Sequence, residues 1–483
     1  MLNYRCQRVE GRTSPALRGL FALAFLIFLT LPVQATQVVY LRFPDTPAIP
    51  SEEIHSYTSV EKEAIKFLME DLYSGFDVAF TLEEPPVFTA STITFNAGAI
   101  GGSADAIDFR NLDDTDDATV NIGALLNAWE ISGLTHPDGR PIAKVAGAFP
   151  TDMVVTASAK IAAHELGHLL GLRHHDAFGP IGLGIGVAGD KYFPIYPGMT
   201  SASGGAPFTS EHIMGLNSSV ALSPGSVFNE SWLGQREAIK LAFNDIPSGV
   251  EKVIAESAGP TPALADAQPL DLLTVFVPDK RKVPEVPIPL DPGTTFTARM
   301  LAVTGELEGI PGPEGSIVTE GDYYKFTGFA GERVTIEVMS HIISTDLGGR
   351  ITDPVDPVVY LLFGETFIGM GLTGGLLPYE GSTAFNDDQF ESFPSSIADP
   401  YGDAILFDVL LPFTGEYVIE VGFHAPSDFA PSIFGPEQSG DYEMFIYAVR
   451  PSNFATAPEP RTLALLLVLL TPVLSLLRRN INR

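Results

Sequence analysis

One cysteine, Cys6, stands in 483 residues. Disulfides therefore contribute nothing to holding this chain together, whatever compartment it occupies. Basic residues are scarce as well: 28 Lys plus Arg face 59 Asp plus Glu, for a formal net charge of −31. Phosphate backbones are held by clustered Lys and Arg, so a polyanion of this size argues against nucleic-acid binding. A membrane helix needs about 20 apolar residues in a row, and the best stretch, residues 463–477, is shorter and broken by Pro472. No nucleophile motif and no phosphate-cradling loop stands out. The G-x-G spacing at Gly182, Gly184 and Gly186 follows no strand and reads as a flexible loop.

A chain of this length suggests two or three domains, and composition divides it into five stretches. Residues 1–35 read as a signal peptide: Arg5, Arg8, Arg12 and Arg18 form its basic part, residues 20–31 its apolar core, and Val33-Gln34-Ala35 its small-residue cleavage site. Cys6 lies inside it. Residues 36–256 mix helix and strand patterns. Residues 257–292 carry eight prolines and read as a semi-rigid linker, with one strand-like stretch at 272–277 that can add to a neighbouring sheet. From 293 to 450 the pattern is all β, and 451–483 hold the short apolar run with a basic end. Eight of the Lys and Arg but one of the Asp and Glu lie in 1–35 and 461–483, so the chain between them is more acidic still.

The most informative stretch is His164-Glu165-Leu166-Gly167-His168-Leu169-Leu170-Gly171-Leu172-Arg173-His174. On a helix, residues four apart lie about 40° apart around the axis and roughly 6 Å along it. His164 and His168 can therefore reach one ion, because zinc takes imidazole nitrogens at about 2.0–2.1 Å. Glu165 projects from the same side, placed to act on a water rather than on the metal. Gly171 can take the left-handed conformation that ends a helix, turning the chain back so that His174 becomes a third ligand. A fourth position left open to water marks a catalytic rather than a structural zinc. His175 is the competing choice for third ligand, and the spacing favours His174.

These residues fit the pattern H-E-x-x-H-x-x-G-x-x-H, and through them the chain resembles the metzincin metallopeptidases over roughly residues 36–253. The resemblance implies an α+β catalytic domain, a mixed sheet plus helices, followed here by an all-β sandwich. It further implies Zn²⁺ on His164, His168 and His174, Glu165 as the catalytic base, and a methionine turn below the metal. Glu211-His212-Ile213-Met214-Gly215 resembles that turn, with Met199 as the weaker choice. Around the motif, 37–43, 76–82 and 92–96 read as strands, 61–73 as a helix, 156–170 as the metal helix, and 229–244 as a closing amphipathic helix. The residues after His174 match no metzincin subfamily.

In the C-terminal half, 323–327, 333–339, 358–363, 405–410, 417–421 and 442–449 read as strands. Turn signals such as Phe329-Ala330-Gly331-Glu332 and Phe413-Thr414-Gly415-Glu416 lie between them, and the whole suggests a β-sandwich. Gly321-Asp322-Tyr323-Tyr324-Lys325-Phe326, Asn386-Asp387-Asp388 and Ser439-Gly440-Asp441-Tyr442 resemble the bacterial pre-peptidase C-terminal domain, which implies an accessory module of a secreted peptidase. Asp387 and Asp388 are candidate Ca²⁺ ligands through that resemblance, or plain turn residues. The acidic run Asn111-Leu112-Asp113-Asp114-Thr115-Asp116-Asp117 has the same two readings, a calcium site or a solvated loop. Pro458-Glu459-Pro460 followed by an apolar run and Arg478, Arg479 and Arg483 resembles the PEP-type sorting signal processed by exosortases. It implies export to a bacterial envelope, transient anchoring in the membrane by the tail, an exosortase-type partner and association with exopolysaccharide.

The expected reaction is hydrolysis of protein or peptide substrates by a zinc endopeptidase, with strand 92–96 holding the substrate backbone. Two alternatives stand beside it. One is a gluzincin-type hydrolase with Glu230 or Glu237 as third ligand. The other is an envelope or matrix adhesion protein with a structural or vestigial zinc site.

Overall fold

The computed structural model of the protein describes residues 36–46, 49–50, 54–86, 90–128, 150–177, 181, 212–216, 227–228, 230–257, 264–280, 295–311, 317–319, 321–340, 343–345, 349–355, 357–363, 366–371, 383–386, 403–423 and 439–450. The expected signal peptide and sorting tail, Met199, the loop glycines 182–186, Asp387 and Asp388 lie outside them. The chain is mixed α/β, with strands predominating in several sheets.

Strands β1 (Gln37–Arg42), β2 (Val78–Thr81), β3 (Ser91–Phe95), β4 (Gly101–Ala104) and β5 (Asp117–Asn121) form the first sheet, in the order β2-β1-β3-β5-β4. All neighbours are parallel except β4, which runs antiparallel to β5 at the edge. The sheet is crossed by α1 (Ser59–Tyr73), followed by the short α2 (Ile122–Ala128) and by α3 (Thr151–Leu169). A Thr-x-x-Glu capping box starts α1: Glu61 N–H donates to Thr58 Oγ1, and Thr58 N–H donates to the Glu61 carboxylate. Ile65 and Met69 of α1, Ala162 and Leu166 of α3, and Val39, Ile93 and Val120 of the sheet make one buried core. Helix α4 (Gln235–Asn244) closes this half, as the pattern over 229–244 led us to expect, although it begins later.

Two further sheets face each other. The smaller is ordered β15-β14-β18-β12-β7, from β7 (Gln268–Leu270), β12 (Asp322–Gly328), β14 (Pro357–Phe363), β15 (Thr366–Gly371) and β18 (Gly415–Phe423). The larger is ordered β16-β17-β13-β19-β9-β6, with β8 also on β9. Its strands are β6 (Val253–Ala255), β8 (Leu273–Pro278), β9 (Thr295–Leu307), β13 (Arg333–Met339), β16 (Thr383–Asn386), β17 (Ala404–Leu410) and β19 (Gly440–Val449). A two-stranded ribbon, β10 (Gly309–Pro311) and β11 (Ile317–Thr319), stands apart. The proline-rich stretch 257–292 thus supplies two strands, each joining one of these sheets. Among the described residues no helix is long and apolar enough to cross a membrane.

The larger sheet is buried on both faces. Leu301, Val303, Val334, Ile336, Met444 and Ile446 point to the smaller sheet. Met300, Ala302, Phe445 and Tyr447 point the other way, into the core of the N-terminal half. Phe445 lies 5.3 Å from Phe109 and 4.9 Å from Phe243, ring centre to ring centre. Burying one such ring is worth roughly 1.5–3 kcal/mol. This is why Gly440–Val449 reads Gly-Asp-Tyr-Glu-Met-Phe-Ile-Tyr-Ala-Val, with little polar alternation: from Tyr442 onward neither side meets water.

Candidate metal centre

Helix α3 carries His164, Glu165 and His168, and every residue from Met153 to Leu169 except Thr156 is buried. The helix ends in a Schellman motif: Gly171 N–H donates to the His168 carbonyl at 2.8 Å and Leu172 N–H to the Gly167 carbonyl at 2.8 Å. Gly171 sits at φ +83°, and a β-carbon there would meet Phe109 Cα at 2.6 Å and the Asp108 carbonyl at 2.8 Å. Both the conformation and the space demand glycine. The chain then doubles back, and a 3₁₀ turn at His174–Ala177 brings His174 to the helix.

The three expected ligands converge. His164 Nε2 lies 3.2 Å from His168 Nε2 and 3.2 Å from His174 Nε2. Nitrogens around a tetrahedral zinc stand about 3.3 Å apart, given bonds of about 2.0–2.1 Å. The far side of two rings is fixed: His164 Nδ1 donates to the Ile213 carbonyl and His168 Nδ1 to the Leu172 carbonyl, each at 2.9 Å. With the protons on Nδ1, the Nε2 lone pairs face one another, an arrangement a cation satisfies and a further imidazole proton does not. Burial, then the neighbouring imidazole, pushes both His164 and His168 down to about 3, so both are neutral donors at any ordinary pH. The donor set therefore fits Zn²⁺. Among the described residues this is the one group of three or more His, Cys, Asp and Glu side chains placed to hold a metal. The side chain of His175 lies outside the described residues.

Glu165 is buried beside the triad and accepts the Ala104 N–H of β4. Burial pushes its carboxyl up to about 8, against the pull of that N–H. Gly102 of β4 packs against Glu165 Oε1, where no side chain would fit without displacing it. The strand facing the site is therefore β4, not 92–96. The latter is β3, paired on both sides by β1 and β5 and unable to accept a substrate backbone. The Gly-Gly-Ser-Ala sequence of β4 has no hydrophobic alternation by which to be read as a strand.

Below the helix, Ile213–Leu216 form a 3₁₀ turn, and Met214 is fully buried with its sulfur against Gly167, between the two histidines of α3. The turn is held from beneath by Glu237, whose Oε1 accepts Met214 N–H at 2.7 Å while Oε2 accepts Gly234 N–H. Glu237 is thus committed to two backbone donors instead of serving as a third ligand in the gluzincin manner. Its role is visible in sequence only as a glutamate at the third position of α4, where such residues reach back to the helix start. Desolvation pushes Glu237 up to about 7, opposed first by His212 and then by its backbone donors.

The acidic run folds on itself. Asp113 Oδ1 accepts Thr115 N–H at 2.9 Å, and Asp108 Oδ2 accepts Asp113 N–H at 2.7 Å.

No family model matches the chain, and no curated protein matches it. Among solved structures it is similar to the pre-peptidase C-terminal domain of collagenase from Bacillus anthracis, at 11% identity over 30% of this chain and 86% of that one. The TM-score is 0.16, too low to establish a shared fold.

Proposed function

We propose that this chain is an exported zinc-dependent endopeptidase of the metzincin kind. One observation carries the reading: three imidazole Nε2 atoms converge beside a buried carboxylate that takes no part in the triad. A zinc ion held by His164, His168 and His174 would polarise a scissile carbonyl and make a water more acidic. Glu165 accepts the proton of the attacking water on its carboxylate and returns it to the leaving amine. Burial brings its proton affinity into the neutral range, which a group that both takes and gives a proton requires. The Ala104 N–H orients it. Strand β4 ends its sheet, so a peptide added to that edge by β-augmentation is drawn alongside Glu165. Export, tail anchoring and exosortase processing belong to the same proposal and rest on the sequence of residues 1–35 and 451–483.

The test pairs zinc-loaded protein with its Glu165→Gln variant against a broad peptide library. We expect both to bind zinc and cleavage to fall by about 10²-fold or more in the variant. If both bind zinc and neither cleaves, an adhesion protein with a structural zinc replaces this reading.

A further inference from the structure

His164 and His168 are fixed by a long helix and by hydrogen bonds from their Nδ1 atoms. His174 lies past the helix end, on a single turn, and its position follows the backbone of residues 173–176. Both flanks of that turn are gripped by charge. Asp176 Oδ2 accepts Arg173 N–H at 2.7 Å and a proton of Lys240 Nζ at 2.9 Å. Lys240 in turn pairs with Glu337 of β13 at 2.7 Å. On the other flank the Arg173 guanidinium reaches Asp403 at 3.4 Å, and Asp403 Oδ1 is itself fixed by Ser340 N–H at 2.7 Å. Arg173, Asp176, Lys240, Glu337 and Asp403 are each no more than 1% exposed.

Five charges so fully withdrawn from water are poor stabilisers, because desolvation offsets most of their attraction. Apolar side chains would fill the same space at no such cost. What buried ion pairs supply is one defined arrangement, and here the arrangement runs from the larger sheet of the sandwich to the two sides of one metal ligand.

We propose that the β-sandwich is a positioning element of the metal centre, its Glu337 and Asp403 holding Asp176 (through Lys240) and Arg173 so that His174 stays at ligand distance from His164. The inference rests on the zinc reading above. It makes the sandwich part of the catalytic apparatus rather than an appended module, with Glu337 and Asp403 acting only through the 173–176 backbone.

The same interface supplies its own control. Arg236, one turn before Lys240 on α4, makes a bidentate pair with Asp408 of β17 at 2.6 and 2.7 Å, buried across the same two surfaces, and donates to the Tyr447 hydroxyl of β19 at 3.1 Å. Zinc affinity of the full chain, read by competition with a chromophoric chelator, is the measurement, alongside thermal unfolding. Glu337→Gln and Asp403→Asn should each weaken zinc binding by about 10–100-fold, the usual effect of losing an outer-shell partner. Asp408→Asn should lower the melting temperature comparably yet leave zinc affinity within about twofold, as for an independent site. In a His174→Ala background, Glu337→Gln should make no further difference to zinc affinity. In the Co²⁺-substituted protein, its visible spectrum should move toward that of His174→Ala.

Unchanged zinc affinity in both flank variants would overturn the proposal, and so would an equal loss in Asp408→Asn, which would mean general loosening. The flank variants act on opposite sides of the turn, so a folding failure in one leaves the other to decide. Equal zinc binding by wild type and His174→Ala would remove His174 as a ligand and take the zinc reading down first. A strong His174→Ala effect with silent flank variants would leave that reading intact and sink only this one.

Discussion

Three glycines shape the candidate metal centre by having no side chain. Gly171 supplies the left-handed turn, Gly167 leaves room for the Met214 sulfur, and Gly102 leaves room for Glu165. Only the first was legible in the motif, since its reason is conformational and local. The other two depend on what the fold brings opposite them. Gly102 gives the sharper prediction. In Gly102→Ala the new methyl would contend with Glu165 Oε1 and with Ile161 Cγ2 at 2.7 Å, both on buried side chains. Displacing a reacting group by about 1 Å costs on the order of a hundredfold in rate. We expect peptide cleavage to fall by that order while zinc affinity, read by chelator competition, stays at the wild-type value. Lost zinc binding in this variant would show that β4 supports the ligands and not the base.

The turn beneath the three histidines behaves as one element with the start of α4. Ile213 receives a proton from His164, Met214 gives one to Glu237, and Glu237 also receives Gly234 N–H. Glutamine at 237 offers one acceptor where two are needed and aims an N–H₂ at a backbone N–H. Glu237→Gln should therefore destabilise the metal-free protein by about 1–3 kcal/mol in denaturant unfolding. It should also weaken zinc binding by loosening the carbonyl that orients His164. This linkage was hidden in the sequence because it joins residues far apart in the chain, whereas the helix, the two α3 ligands and Gly171 are local and declared themselves by spacing. The same distinction holds among strands. β12, β13, β14, β17, β18 and β19 stood out as β-branched and aromatic runs between turn signals. The 13-residue β9 did not: it carries Arg299, Gly305 and Glu306 among its apolar residues, and four consecutive buried residues, Met300–Val303, break the polar alternation that marks a half-buried strand. The site was the more legible half of the molecule, and the edge strand beside it the least.

At the scale of the whole molecule, negative charge is the dominant field, and it concentrates in residues 105–117. Asp116 is pushed up to about 7, by burial first and then by Asp113, Asp108, Asp105 and Asp117. A carboxyl raised above its unfolded value near 3.8 holds a proton in the folded state that the unfolded chain has released. Its contribution to stability is full below about pH 4 and is lost as pH rises through about 7. Melting temperatures of wild type and Asp116→Asn, measured between pH 5 and 8, should diverge accordingly. The variant, neutral throughout, should be the more stable at pH 8 and lose that advantage toward pH 5. Parallel curves would mean that the cluster is screened by water and that Asp116 titrates as an ordinary surface acid.

The position of β19 carries one more consequence, and it concerns time. This strand comes after every other described element in the chain, yet it lies in the interior of the larger sheet, between β13 and β9, with Phe445 set against Phe109 and Phe243. Synthesis proceeds from the N-terminus, so the histidines emerge long before the strand that completes the wall behind them. Until it inserts, β13 lacks one of its two neighbours, and Glu337 has no finished sheet from which to reach Lys240. Under the proposed function, order of manufacture thus becomes a safety catch: the three histidines and Glu165 are already on the chain while the strand that completes their support is still to come.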